Sequence, residues 1–237
     1  MNLSSIRVGG LAALGFAGLV MVVNVILGAA GMPQPGATPE DVREFFAAGG
    51  PGLTVSTALA PIAWILLPVF AAGVAAASRR RSLVQGDAWP LVGLGAAIMQ
   101  NCLFGGVVAT QVVLSAGGLS ADVEWGIWQL HTALFSLNAV SLAIIMASLS
   151  LAGVRSGLIR PWHATLGFVS AGVMTVVSVT TPLHMDGGPL GMLGLAGFLA
   201  WVVWLATYGV VLLRASKDTA DVAREAPAVT RPVVVDA

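Results

Sequence analysis

The stretch PLVGLGAAIMQNCLFGGVVATQVVL, which occupies residues 90–114, decides the fold class of this chain. It contains no Asp, Glu, Lys or Arg, and as a helix it is long enough to cross the hydrocarbon core of a bilayer. Lipid offers no partner for unpaired backbone groups, so a single apolar segment crosses only as a helix. The sequence therefore predicts a transmembrane helix here.

Five further stretches have the same length and character. The sequence thus predicts an all-α integral membrane bundle of six transmembrane helices, at residues 8–30, 53–77, 90–114, 126–150, 162–181 and 189–213. The first stretch is longer than the roughly 7–15 apolar residues of a signal peptide, so we expect it to remain as a helix of the bundle. Residues 1–214 then form one transmembrane domain, and the mixed-charge residues 215–237 are expected to be a disordered tail.

Composition supports a membrane protein and excludes several other classes. Of the 237 residues, 57% are hydrophobic and 9% are charged, whereas an average soluble domain has about 25% charged residues. The basic residues are few and fall in short clusters, so we predict the lipid bilayer as a partner and no nucleic acid. The single cysteine, Cys102, excludes an internal disulfide framework and a CxxC metal site.

The basic residues fall almost entirely on one side of the predicted membrane. That side carries Arg7, Arg79, Arg80, Arg81, Arg155, Arg160, Arg214, Lys217, Arg224 and Arg231. Only Arg43 falls on the other side, among acidic residues. The positive-inside rule therefore places both termini and the tail in the cytoplasm. Trp89 and Trp162 then mark the inner interface, and Trp125 and Trp128 the outer one.

The first outer loop carries the signals of a short helix. Thr38 suits the N-cap, Pro39 the first helical position, and Glu40 and Asp41 the first turn. The run Gly49-Gly50-Pro51 ends the pattern. We predict a short outer-loop helix whose Phe45 and Phe46 rest on the membrane surface or on the bundle.

Residues 124–214 resemble a known group of proteins. A span there ends at Gly-Leu-Ile-Arg-Pro-Trp (157–162), continues into Leu-Gly-Phe-Val-Ser-Ala-Gly (166–172), and is followed by a last span with Trp201 and Trp204. This pattern is similar to small six-helix bacterial membrane proteins, of an actinobacterial type, that are grouped only as a domain of unknown function. The resemblance implies a multi-pass protein of the bacterial plasma membrane and carries no catalytic residue.

Amide side chains are the main polar groups at depth. Gln100 and Asn101 lie near the middle of the third span, and Asn138 near the middle of the fourth. Small residues recur every four positions on the third span, at Gly93, Ala97, Asn101, Gly105 and Ala109. Such a face suits close helix packing, with an Asn101–Asn138 hydrogen bond, or contact with a protein partner or a second copy. The alternative is a polar patch that lines a cavity and binds a ligand.

A second polar group is predicted at the outer edge. His131 and Asn138 share a face of the fourth span, Gln111 emerges at the same level, and His184 and Asp186 come from a neighbouring loop. With Glu124 they suggest an acid–base site in which Glu124, His131 and Asp186 are the catalytic candidates. The spacing matches no HxxxH or HExxH metal motif, and no pair of facing histidines suits haem, so we predict no metal and no cofactor.

Three tryptophans fall near mid-membrane, at Trp64, Trp201 and Trp204. With Phe104 and Phe135 they form a candidate aromatic lining for a flat apolar ligand, or they are packing residues. Pro61 and Pro68 share a face of the second span and are expected to bend it.

Three functions fit these observations. The first is a non-enzymatic membrane protein, meaning a packing or partner subunit, because no span contains Asp, Glu, Lys or Arg. The second is an enzyme that acts on a lipid or isoprenoid, similar to the small membrane terpene cyclases. The third is a carrier for a small neutral solute, lined by Gln100, Asn101 and Asn138.

Overall fold

The protein is an all-α bundle, and the six predicted membrane spans are confirmed as six helical segments long and apolar enough to cross a bilayer. The computed structural model describes residues 4–225, except the side chains of 80–83, 85 and 218–225. The helices are α1 Ser5–Ala29, α2 Pro39–Ala48, α3 Pro51–Gln85, α4 Trp89–Ala116, α5 Ala121–Leu137, α6 Ala139–Arg155, α7 Pro161–Val179 and α8 Pro189–Glu225. A single 3-10 turn, Thr181–Leu183, links α7 to α8.

The spans form a ring in chain order. Each span contacts the next along the chain, and α8 returns to contact α1. Helix α3 also contacts α6 and α8, so it leans into the middle of the ring. Ser4 and Ser216 meet at one end of the bundle, with their hydroxyl oxygens 3.2 Å apart. We call this the basic end, and we call the opposite end, which carries α2, the acidic end.

Glycines allow the closest helix crossings. A Cβ on Gly9 would lie 2.6 Å from the Cα of Gly73, so α1 and α3 touch backbone to backbone. One residue later, a Cβ on Gly10 would lie 2.9 Å from the carbonyl oxygen of Gly209 in α8. Membrane helices gain little from hydrophobicity against lipid and associate through such close packing. Helix α1 is therefore fixed on two sides near the basic end.

Aromatic side chains fill the core where α3, α6, α7 and α8 meet. Trp204 and Tyr208 are fully buried and pack edge-on against Phe70, with centroid distances of 6.0 and 5.5 Å. The indole N–H of Trp204 donates to the hydroxyl of Ser150, at 3.0 Å. Gly167 of α7 lies against both groups and leaves no room for a side chain. The core is thus tied by hydrogen bonds as well as by packing.

The short helix predicted in the first loop is confirmed as α2, and it packs on the bundle. The Thr38 hydroxyl accepts from the backbone N–H of Asp41, and the Asp41 carboxylate accepts from the hydroxyl and backbone N–H of Thr38. These hydrogen bonds lower the pKa of Asp41. Phe46 is buried and lies 6.2 Å, centroid to centroid, from the ring of Trp128. Helix α2 therefore covers part of the acidic end.

Some boundaries differ from the prediction. The fourth span, expected over 126–150, runs from Ala121 to Arg155 and is divided only at Asn138, where α5 ends and α6 begins. Trp128, expected at a membrane interface, is 3% exposed because α2 covers it. The last helix continues past residue 214 to Glu225, so the first part of the expected disordered tail is helical. Ala215, Ala220 and Ala223 favour this continuation, since alanine is the strongest helix former. Residues 226–237 of the expected tail lie outside the described residues.

Candidate functional site: a polar layer at the break in the fourth span

Asn138 interrupts the fourth span midway between Ala121 and Arg155. Its backbone keeps α-helical angles, with φ −58° and ψ −24°. The N–H of Ser141 nevertheless bonds to the carbonyl of Asn138, at 3.0 Å, instead of reaching back four residues. The carbonyl of Leu137 is thereby freed, and it accepts from the hydroxyl of Ser178 in α7, at 3.3 Å. A neighbouring helix thus satisfies the group that the break exposes, as lipid requires.

Three side-chain oxygens without a hydrogen-bond partner lie near this break. They are Oε1 of Gln100, Oδ1 of Asn138 and Oγ of Ser141, and all three residues are buried. Helix α4 runs antiparallel to α5 and α6, with Gly93 facing Leu149 and Thr110 facing His131. In that register Gln100 falls level with Ser141, and Asn138 lies one turn nearer the acidic end. We call these three residues the polar layer.

Unpaired oxygens at this depth require a hydrogen-bond partner. A buried polar group without a partner costs about 1–3 kcal/mol, so native proteins satisfy such groups with protein, water or ligand. The amide oxygens of Gln100 and Asn138 only accept hydrogen bonds, whereas the Ser141 hydroxyl can accept or donate, so a molecule that donates hydrogen bonds can satisfy all three. The indole N–H of Trp64, which packs against Gly105 of α4, is a buried donor that also has no partner.

Asn101 does not bond to Asn138, and that prediction is wrong. Its amide donates to the carbonyl oxygen of Trp64 in α3, at 2.6 Å. The fourth residue after Trp64 is Pro68, which has no N–H and leaves this carbonyl without its helical partner. The Asn101 amide replaces the missing donor. The Asn101 side chain therefore joins α4 to α3, whereas the side-chain oxygen of Asn138 has no hydrogen-bond partner.

His131 lies on α5, next to Trp128, the residue on which α2 packs. Its ring stacks on Trp128, with centroids 4.9 Å apart. Because the hydroxyl of Thr110 donates to the carbonyl of Val107, at 2.7 Å, His131 Nδ1 is the donor in its 3.0 Å contact with that hydroxyl. His131 links α4 to α5 and lies two turns from Asn138.

The other acid–base candidates engage separate partners. Glu124 accepts from Arg43 Nε, at 2.9 Å, and this ion pair joins α5 to α2. Asp186 is exposed in the loop before α8. His184 Nε2 lies 3.0 Å from the carbonyl of Val177. Within the described part of the chain, no hydrogen bond or ion pair joins Glu124, His131 and Asp186, and no cluster of three His, Cys, Asp or Glu side chains could hold a metal ion.

The aromatic residues that the sequence suggested as a ligand-binding lining lie apart from one another. Trp201 and Trp204 are 2% and 0% exposed and pack on Phe16 and Phe70. Phe135 faces lipid at 53% exposure. These rings therefore fill the core or face outward and do not surround one cavity. Gln111 is buried on α4, one residue beyond Thr110.

The small-residue face of α4 is largely covered by the chain itself. Gly93 lies against the side chain of Leu149 in α6, Ala97 is fully buried, and Gly105 packs on the ring of Trp64. Ala109, at the end of the stripe, is exposed. Most of this face therefore packs against other helices of the same chain.

Two clefts open at the basic end of the bundle. One, of about 610 Å³, lies between α7 and α8 and includes Arg160, His163 and Arg214. The other, of about 470 Å³, lies at the turn between α3 and α4 and includes Asp87. Asp87 faces Arg155, with Oδ2 3.8 Å from Nη1. Neither cleft includes the outer-edge residues that the sequence singled out.

Ser141 and Thr110 are the members of this region that the sequence did not single out. A serine or threonine at depth usually bonds to the carbonyl of its own helix, so its presence alone carries no signal. The proximity of Pro68 and Asn101 could have been anticipated, because a proline frees the carbonyl four residues earlier and a mid-membrane donor is then required. Comparison with protein-family models, with curated proteins and with solved structures found no match for this chain.

Proposed function

We propose that this chain is a non-enzymatic multi-pass membrane protein whose polar layer binds a small neutral solute and carries it through the bilayer. The supporting observation is the set of three unpaired oxygens, on Gln100, Asn138 and Ser141, beside a broken span. Interrupted helices at the bilayer midplane are typical of substrate sites in transporters. The stretches 90–114 and 126–150, which carry the polar layer, contain no charged residue, so an ion in the layer would have no counter-charge from them. The solute class that fits is a small neutral hydrogen-bond donor, such as water, glycerol or urea.

The lipid-directed enzyme fits the geometry less well. It requires aromatic rings around one cavity and an acid that reaches the substrate. Here Trp201 and Trp204 fill the core, and Glu124 is paired with Arg43 at the acidic end. The uncharged layer is thus better suited to passing a solute than to protonating one.

We also propose that the basic end faces the cytoplasm of a bacterial plasma membrane. Four exposed arginines lie at this end, namely Arg7, Arg155, Arg160 and Arg214. Ser4, which precedes the first helix, and Ser216 in the last helix also meet there. The positive-inside rule supports this orientation, and the resemblance of residues 124–214 supports the bacterial source.

Solute passage can be measured in proteoliposomes by stopped-flow light scattering after an osmotic step with glycerol or urea. We expect wild-type vesicles to be more permeable than protein-free vesicles. Asn138→Leu and Gln100→Leu should each reduce the protein-dependent part by about tenfold, the equivalent of one lost hydrogen bond to a buried group. Ser141→Ala, which removes one oxygen at nearly constant volume, should also reduce the protein-dependent permeability.

The matched control is Asn24→Leu. Asn24 lies on the exposed surface of α1 and bonds only to Val20 of its own helix, so this variant should keep the wild-type permeability. Wild-type vesicles no more permeable than protein-free vesicles would contradict the proposal. Full permeability in folded Asn138→Leu would contradict the role of the layer.

A partner subunit is a second candidate, favoured by the lipid-facing side of α4. Gly95 has nothing within 4 Å of the position of a Cβ, and Cys102 and Ala109 are exposed on the same helix. Small lipid-facing residues allow a helix of another chain, or of a second copy, to approach closely.

Association through this helix can be tested first in the wild-type protein, because its single cysteine, Cys102, lies on α4. If two copies meet along α4, oxidation of membranes with copper phenanthroline should give a disulfide-linked dimer through Cys102. Cys102→Ser should abolish the dimer, and Leu195→Cys in that background, exposed on α8, should not restore it. A monomer alone after oxidation would contradict a homo-oligomer at this face.

A further inference from the structure

The cleft at the basic end between α7 and α8 has features of a built site that the proposed solute path does not use. Its lining includes Leu158, Arg160, Trp162, His163, Val210, Val211 and Arg214. One part of this lining is polar and the other apolar. Trp162 and Val210 are 56% and 38% exposed, and both belong to helices that are apolar enough to cross a bilayer. A ligand could therefore enter from the bilayer.

Two arginines give the cleft a positive charge. Arg160 and Arg214 are exposed, and neither forms an ion pair with any side chain that the structure describes. Arg160 is also the N-cap residue of α7, and this helix begins without a side-chain cap. The start of a helix carries partial positive charge and attracts anions. Both features favour a negatively charged group at the mouth of the cleft.

His163 supplies an unsatisfied polar atom in the wall of the cleft. The residue is 1% exposed, and its Nε2 lies 2.9 Å from the carbonyl oxygen of Trp204. A carbonyl only accepts hydrogen bonds, so Nε2 carries the proton, and Nδ1 of the neutral ring is an acceptor. Nδ1 is buried and has no partner. It calls for a hydroxyl or another donor.

We propose that this cleft binds an anionic phospholipid with a hydroxylated headgroup. The phosphate lies by Arg160 and Arg214, a headgroup hydroxyl donates to His163 Nδ1, and an acyl chain follows Leu158, Val210 and Val211. Guanidinium groups bind phosphate oxygens with strong, charge-assisted hydrogen bonds. Basic pockets between transmembrane helices are a known setting for lipid headgroups. Phosphatidylglycerol has both required groups and is the probe of choice.

The test uses the full chain in phosphatidylcholine nanodiscs that contain increasing amounts of phosphatidylglycerol, with bound lipid counted by native mass spectrometry. Wild-type protein should retain phosphatidylglycerol over phosphatidylcholine. Each of Arg160→Gln and Arg214→Gln should weaken retention by about fivefold, and the double variant by about 25-fold. Arg7→Gln removes an exposed arginine at the same end but outside the cleft, so it should behave as wild type.

Two further probes separate the parts of the proposal. Phosphatidylmethanol has the same phosphodiester charge without a headgroup hydroxyl, and we expect it to bind about fivefold more weakly, since one hydrogen bond is lost. Equal binding of the two lipids would overturn the role of His163 Nδ1. Inorganic phosphate should not displace the lipid; displacement at equal concentration would show a free-anion site. Equal retention in the double variant and in Arg7→Gln would overturn the site itself.

Discussion

Gly9→Ala is expected to lower the free energy of unfolding by about 1–3 kcal/mol, although it adds only one methyl group. The new Cβ would lie 2.6 Å from the Cα of Gly73, which is closer than two non-bonded carbon atoms can approach each other. The atom in its way belongs to the backbone, so relief requires α1 and α3 to move apart. The same movement would disturb the neighbouring contact of Gly10 with Gly209. Gly73→Ala meets the same crossing from the other side and should cost a similar amount.

Gly18→Ala is the matched control on the same helix. Gly18 has nothing within 4 Å of the position of a Cβ. Alanine in a helix is favoured over glycine by about 0.5–1 kcal/mol, so this variant should be unchanged or slightly more stable. Thermal unfolding in detergent, followed by tryptophan fluorescence, measures both changes. Equal stability of Gly9→Ala and Gly18→Ala would show that the α1–α3 crossing is not closely packed.

Trp204→Ala should destabilise the protein by about 3–5 kcal/mol. The side chain is fully buried between Phe70 and Tyr208, so its loss leaves a cavity in the centre of the bundle. Lipid is as apolar as the core, and the cost therefore comes mainly from lost packing. Binding of phosphatidylglycerol at the nearby cleft should also weaken, because the Trp204 ring packs against the ring of His163, with centroids 6.0 Å apart.

Trp204→Phe separates packing from hydrogen bonding. It keeps a ring in the core but removes the N–H that donates to Ser150, a loss of about 0.6 kcal/mol in typical membrane helices. Trp201→Phe is the matched comparison, because the indole N–H of Trp201 has no partner. Chemical denaturation in mixed micelles should therefore find Trp204→Phe the less stable of the two. The reverse order would contradict the Ser150 bond.

The span positions could be predicted because bilayer thickness sets a length that composition alone reveals. Helix α2 was predictable for a local reason, since Thr38, Pro39 and Asp41 encode a helix start within four residues. The rotation of each span about its axis was not predictable. Spans that are apolar on all sides do not indicate which face is inward. The partner of Asn101 depends on that rotation, and for this reason the Asn101–Asn138 bond was a wrong prediction.

The candidate site could be predicted only in part. Gln100 and Asn138 were expected at mid-membrane, and the structure buries both of them with their side-chain oxygens unpaired. The break at Asn138 had no sequence signal, because neither glycine nor proline stands there and helix breaks are usually attributed to those residues. Glu124 was expected to face a site, but its partner Arg43 comes from α2, whose docking position the sequence did not fix.

The contacts of α1 have a consequence for how the chain is made. Gly9 and Gly10 seat the first span against the second and the last, so one of its faces stays uncovered until α8 has been synthesised. During insertion the nascent protein is then an open arc of helices. It closes only when the final span arrives and Gly209 reaches Gly10. A polypeptide that stops before α8 should therefore leave the face of α1 that carries Gly10 open to lipid.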